Sequence, residues 1–159
     1  MIVRKVLALL FPILLFTPSV EAAFPFTGKV VAVLDGDTIE VLHNGKAERI
    51  RLNGVDCPEK KQAFGQKAKQ LTSSLVFGKT VVVVPSEVDR YKRIVGDVFL
   101  PNGVNVSYEL VRAGLAWWYR KYSDDVLIAV LELEAQLEKR GLWTDPHPVP
   151  PWEWRKLKK

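Results

Sequence analysis

Cysteine is nearly absent from this chain of 159 residues, with Cys57 the only one. No intramolecular disulfide can form and no multi-thiolate zinc site is available, so a hydrophobic core has to hold the domain together. In an exported protein such a lone thiol is also open to oxidation or to pairing between molecules. Histidine is scarce as well: His43 flanks a turn and His147 sits among prolines, and neither has the neighbours of a zinc ligand. No apolar run approaches the roughly 20 residues of a membrane span; the longest, Val6 to Phe16, has 11. Internal repeats and low-complexity stretches are missing, which excludes fibrous and wholly disordered classes. Acidic side chains are the minority, 18 against 23 Lys and Arg, giving +5 and a pI near 9.4. That balance favours polyanionic partners over acidic ones.

With 48% hydrophobic and 26% charged residues, the length fits one compact domain. The first segment stands apart from it. Arg4 and Lys5 precede the apolar run, and Thr17, Pro18, Ser19 and the small-residue pattern Val20-Glu21-Ala22 follow. This is the pattern of a secretory signal peptide over residues 1–22, cleaved after Ala22, and it implies a secreted or periplasmic protein. Removing Arg4, Lys5 and Glu21 leaves 21 basic and 17 acidic residues, so the mature domain keeps a net +4.

The remaining pattern predicts five short strands and three helices. Thr27–Leu34 is rich in Val and Ala, Asp35-Gly36 suits the positive-φ turn of a tight hairpin, and Thr38–Leu42 resumes a strand. Asn44-Gly45 is a second hairpin signal, and Glu48-Arg-Ile-Arg-Leu52 alternates charged and apolar residues as a half-buried strand does. Phe64, Ala68, Leu71, Leu75 and Val76 recur at helical spacing up to Gly78. Thr80–Val84, ended by Pro85, and Ile94–Leu100 complete the strands. Helices are predicted over Ser107–Ala113 and, capped by Ser123, over Asp124–Arg140. The order suits an α+β fold, a five-stranded OB-type Greek-key barrel with flanking helices spanning residues 23–143. Residues 144–159 read as a Pro-rich, basic tail running extended over the surface, its terminal Arg155-Lys-Leu-Lys-Lys159 a solvated basic end. Trp117, Trp118 and Trp143 read as packing or rim residues.

Three short stretches carry chemistry. Asp35-Gly-Asp-Thr38 sits at the first turn and alone is only a turn. Arg51-Leu-Asn-Gly-Val-Asp56-Cys-Pro-Glu59 places a cation and two carboxylates within nine residues. If Asn44-Gly45 is a two-residue turn, Arg51 pairs across from Thr38 and so lies beside Asp37. Asp56 is an odd number of residues from Arg51, so a bulge at Asn53-Gly54 is expected to turn it to the same side. An Arg51–Asp56 surface salt bridge is the plainer alternative. Asp89-Arg-Tyr-Lys-Arg93 offers guanidinium groups and an aromatic for a phosphate and a stacked base, or is simply a solvated loop.

Together these residues meet the needs of phosphodiester hydrolysis. Asp37 and Asp56 can hold a hard divalent cation through oxygen. Arg51 and Arg93 can grip a phosphate and answer the charge that grows on it during attack, and Glu59 is left as base for the water.

D-G-D-T at Asp35–Thr38, R-L-x-G-V-D-x-P-E at Arg51–Glu59, D-R-Y-x-R at Asp89–Arg93 and L-V-R-A-G-L-A at Leu110–Ala116 resemble the staphylococcal nuclease-like, or thermonuclease, family, over 116 residues from Gly28 to Trp143. The resemblance implies an OB barrel with three helices and calcium-dependent hydrolysis of single-stranded DNA and RNA, with duplex DNA also accepted, leaving 3′-phosphate ends. It makes Asp37 and Asp56 calcium ligands, with the main-chain carbonyl of Cys57 as another, and Arg51, Glu59 and Arg93 the active-site trio. Arg90 and Tyr91 match positions touching the terminal phosphate and base, and Tyr119 or Tyr122 matches an aromatic there. Cys57 stands where the namesake has Thr, and Lys92 where a Gly is common. No stable protein partner is implied and a monomer is expected.

Two rival readings make different demands. A noncatalytic OB module holding single strands has no use for Asp37, Asp56 and Glu59 facing a polyanion. An envelope adaptor docked through the Pro-rich tail leaves both arginines idle.

Overall fold

The computed structural model describes residues 24–157; the expected signal peptide, Met1–Ala22, lies outside the described residues. Period-two alternation and two turns build the first sheet. Strands β1 (Phe26–Val33), β2 (Thr38–His43) and β3 (Lys46–Leu52) form the expected antiparallel meander. Asn44 and Gly45 both take positive φ, 47° and 78°, as a two-residue hairpin turn requires, and the register sets Thr38 opposite Arg51. In β3, Ile50 and Leu52 turn into the core while Arg51 stands on the other face.

Downstream come the two-residue strand β4 (Val55–Asp56), helix α1 (Gly65–Val76), β5 (Thr80–Val88), β6 (Ile94–Phe99), α2 (Val106–Arg112), β7 (Trp117–Trp118), α3 (Val126–Leu137), a 3-10 turn at Gly141–Thr144 and the one-turn helix α4 (Pro151–Trp154). The barrel order is β1-β2-β3-β6-β5, closed by antiparallel pairing of β1 with β5, and β3 meets β6 in parallel. The expected five-stranded barrel with flanking helices is therefore what forms, with one short helix more than the three expected. Val30, Ile39, Val41, Ile50, Val83 and Val98 fill it, all fully buried. Helices α2 and α3 cover one end through Val106, Leu110, Ile128 and Leu131. Among the described residues no helix is long and apolar enough to cross a membrane.

Several local expectations are corrected. Pro85 does not end its strand: β5 continues to Val88, with the register shifting between Pro85 and Glu87 where Pro85 lies opposite Gly96. A Cβ on Gly96 would stand 2.6 Å from the Val84 carbonyl oxygen, so the missing side chain is what admits the irregular strand. Helix α3 is shorter at both ends than Asp124–Arg140, and its cap is Asp125, whose Oδ1 accepts from the N–H groups of Leu127 and Ile128, rather than Ser123.

Gly36 is not among the positive-φ residues, so its role is spatial and not conformational. Its Cβ would lie 2.8 Å from the Cβ atoms of Ala68 and Cys57. The loop carrying Asp35 and Asp37 thus packs directly on α1, where Thr72 Oγ1 donates to the Gly36 carbonyl at 2.6 Å. Gly36→Ala is expected to destabilise the protein by about 1–3 kcal/mol through overpacking, read as a lowered urea midpoint. An unchanged midpoint would show that the loop yields freely.

Candidate active site

The chain does not bulge at Asn53-Gly54 as expected but turns. Gly54 takes φ 74°, β3 ends at Leu52, and Val55–Asp56 leaves the barrel to pair with β7, Asp56 opposite Trp117. The consequence for chemistry is the expected one: Asp56 comes to Arg51. Arg51 Nη2 donates to Asp56 Oδ1 at 3.0 Å and to the Val55 carbonyl at 3.1 Å, and Nη1 pairs with Asp37 Oδ2. Far from a surface salt bridge, the cluster is buried, with Asp56 only 2% exposed. Asp37 Oδ2 also accepts the Cys57 N–H at 2.9 Å, which ties the first motif to the second.

Burial and charge pull these carboxyls in different directions. Asp37 carries a burial penalty, but the Arg51 charge and hydrogen bond outweigh it and hold the carboxyl below its ordinary value. Asp56 ends above its ordinary value because burial outweighs its contacts with Arg155 and Arg51. Asp35 is pushed up to about 6 by burial and by the charge of Asp37. Burial, then Asp37, raises the Cys57 thiol well above the usual range. That thiol stays protonated inside the core, which removes the reactivity expected of a lone cysteine.

The third motif folds as a self-bonded loop. Asp89 Oδ1 accepts the N–H groups of Tyr91 and Arg93, and its Oδ2 accepts Arg93 Nε at 2.8 Å. Lys92 takes the left-handed conformation, φ 62°, so the turn keeps the geometry that a glycine suits even with Lys in place. Arg93 reaches back to Thr38 Oγ1 at 3.5 Å, joining the loop to the site. The Tyr91 ring lies under the Arg90 guanidinium, 4.8 Å from its centroid, and is largely exposed.

One pocket of about 580 Å³ gathers every residue singled out in the sequence: Asp37, Arg51, Asp56, Cys57, Glu59, Arg90, Tyr91, Arg93 and Tyr119 all line it. Tyr122 lines it too and meets Tyr119 edge-on at 4.7 Å, so both candidate aromatics are present. Their loop is fixed by Glu132, buried on α3, which accepts the Trp118 N–H at 2.9 Å and pairs with Arg120 at 2.6 Å.

Sequence reasoning missed Arg155. The tail does not run off as a solvated end; it folds back, and α4 brings Arg155 Nη2 to Asp56 Oδ2 and Nη1 to Glu59 Oε1, each at 2.8 Å. Trp152 stacks on Tyr119, centroids 5.4 Å apart and planes 1° from parallel, and meets Trp117 edge-on. A signal was present: Pro150-Pro151 before Trp152-Glu-Trp154 places proline at a helix start and aromatics ready to bury.

Residues 49–145, more than half of the chain, match the family model described as Staphylococcal nuclease homologue. The chain belongs to the staphylococcal nuclease family. It is 54% identical over 131 residues to an "Uncharacterized endonuclease" of Escherichia coli, covering 82% of this chain and 86% of the relative. It is 42% identical over 151 residues to a "Micrococcal nuclease" of Shigella flexneri, covering 89% and 87%. A "Staphylococcal-like nuclease CAN1" of Arabidopsis thaliana shares 41% over 114 residues, 72% of this chain and 35% of that longer protein. Membership of the staphylococcal nuclease family makes the protein a nuclease, and the family is generally metal-dependent.

The donors present fit a hard cation. Asp37 and Asp56 both offer carboxylate oxygen to the pocket, which Asp35 lines as well. Among the described residues no three His, Cys, Asp or Glu side chains gather as a ready-made ligand set, so a cation here would draw also on main-chain and solvent oxygen.

Proposed function

We propose that the protein is an exported, calcium-dependent endonuclease that hydrolyses single-stranded DNA and RNA, accepts duplex DNA, and leaves 3′-phosphate ends. The observation that supports this reading most is the meeting of two carboxylates, two arginines and a third, more open carboxylate on one pocket. Asp37 and Asp56, with the Cys57 carbonyl, would hold calcium. Bound there, calcium would supply positive charge against a phosphate oxygen and a means of orienting the attacking water.

The chain's own residues do the rest. Glu59, 41% exposed at its side chain, can take a proton from water, whereas Asp37 and Asp56 are buried against Arg51. Arg51 is held by Asp37 and Asp56 and Arg93 by Asp89, so both guanidiniums are fixed at the pocket before substrate arrives. Arg90 and Tyr91 hold the neighbouring phosphate and base, and Tyr119 borders the base. Attack on phosphorus with rupture of the bond to the 5′ oxygen leaves phosphate on the 3′ side and a 5′ hydroxyl on the other. Export follows from the residue pattern of Met1–Ala22, and a monomer suffices because one chain supplies the whole set.

The test is digestion of 5′-labelled single-stranded DNA in calcium by the mature chain, with the new ends identified enzymatically. Products bearing 3′-phosphate support the reading; 3′-hydroxyl products overturn its chemistry. Asp37→Ala is expected to shift the calcium titration of activity to higher concentration before it lowers the plateau. An unchanged titration would contradict the ligand assignment.

A further inference from the structure

We propose that Arg155 is a substrate-binding residue of this site, a guanidinium that the C-terminal segment delivers to the phosphodiester backbone. The inference rests on the nuclease reading above and extends it to a residue far outside the family motifs.

Position is the first argument. Arg155 lines the same pocket as Arg51 and Arg93 and is more open than either, 42% exposed against 13% and 24%. An entering polyanion therefore meets it with less desolvation than it meets the other two. Unused hydrogen-bonding capacity is the second. Arg155 makes three contacts, Nη1 to Glu59 and Asp56 and Nη2 to Asp56, while a guanidinium has five N–H donors in a planar fork suited to phosphate. The third is charge. Asp56 and Glu59 line the pocket and each pairs with Arg155 at 2.8 Å, and a cation held there lowers the repulsion that two carboxylates impose on a polyanion.

The same contacts admit a different reading, in which the tail is a plug that holds Asp56 and Glu59 until displaced. The seating of the segment argues against it. Pro151 is buried, Trp152 stacks flat on Tyr119, and Gln62 Nε2 donates to the Val149 carbonyl at 2.6 Å. Displacing the segment as a plug would have to break all of these, whereas binding needs only a side-chain rotation at Arg155. The segment is built as pocket wall.

The test compares the wild-type mature chain with Arg155→Gln and Arg155→Lys, none of which alters a buried position. Binding of a fluorescent single strand with slowly hydrolysed phosphorothioate linkages is measured by anisotropy across a salt series, alongside kcat and KM on ordinary single-stranded DNA. Arg155→Gln is expected to weaken binding and raise KM about tenfold, and to reduce the slope of log affinity against log salt by about one phosphate contact. Arg155→Lys restores the slope and part of the affinity. Unchanged or tighter binding in Arg155→Gln, or higher turnover at low calcium, overturns the proposal in favour of a plug. Wild-type protein that does not cleave would instead overturn the nuclease reading itself, so the two failures are distinct.

Discussion

Glu59→Gln is expected to lower kcat by about 10² or more, the scale of a lost general base, while leaving the affinity for single-stranded DNA nearly intact. The separation arises from how Glu59 is held. Its Oε1 accepts from Arg155, and its main-chain N–H donates to Gln62 Oε1 at 3.1 Å. Glutamine has the same shape and can keep both contacts, so the pocket wall survives and only the proton acceptor is lost. Asp37 and Asp56 cannot take over, because each is buried and committed to Arg51. Single-turnover rates on DNA, with binding measured on the same preparation, check this. Wild-type turnover in the variant would remove Glu59 from the chemistry.

Arg51→Ala has the largest expected effect on stability, about 3–5 kcal/mol, because it strands two buried carboxylates without their shared counter-charge. Against the 5–15 kcal/mol that holds an ordinary domain together, that is enough to leave a part of the protein unfolded at growth temperature. The pH dependence has a definite sign. Arg51 holds the Asp37 carboxyl below its unfolded value of about 3.9, so the stability that the pair contributes is fully present above that pH and disappears as pH falls through the lower folded value. The gap in urea midpoint between wild type and Arg51→Ala is therefore widest near neutrality and narrows below about pH 4. A gap that is constant with pH would mean that the loss comes from packing and not from charge. Activity falls as well, since the same guanidinium is one of the two aimed at phosphate.

What was legible in the sequence was what short-range chemistry decides. Asn44-Gly45 fixes the hairpin turn, the turn fixes the register, and the register puts Arg51 opposite Thr38 and beside Asp37. The first motif and the start of the second thus meet for a reason that the hairpin alone supplies. The misreadings share a cause in long-range packing. Gly36 looked like a positive-φ residue, but it is small because α1 and Cys57 press on it. Pro85 looked like a strand end, but Gly96 across the sheet makes room for it. The β4–β7 ladder, which carries Asp56 to Arg51, pairs residues some 60 positions apart through strands of two residues, too short for any periodicity to mark. The prolines around His147 obscured the tail in the same way. They forbid a long helix, yet Pro151 starts a single turn that seats Trp152 against Tyr119 and places Arg155 over the site.

The central claim is that a divalent cation held by Asp37 and Asp56 enables these residues to cut a nucleic-acid backbone. It is tested most directly by incubating purified mature protein with single-stranded DNA in calcium, then with excess chelator, then with calcium restored. The account predicts cleavage in the first, none in the second, and recovery in the third. Cleavage that persists in chelator, or fails throughout while the protein remains folded, would contradict it.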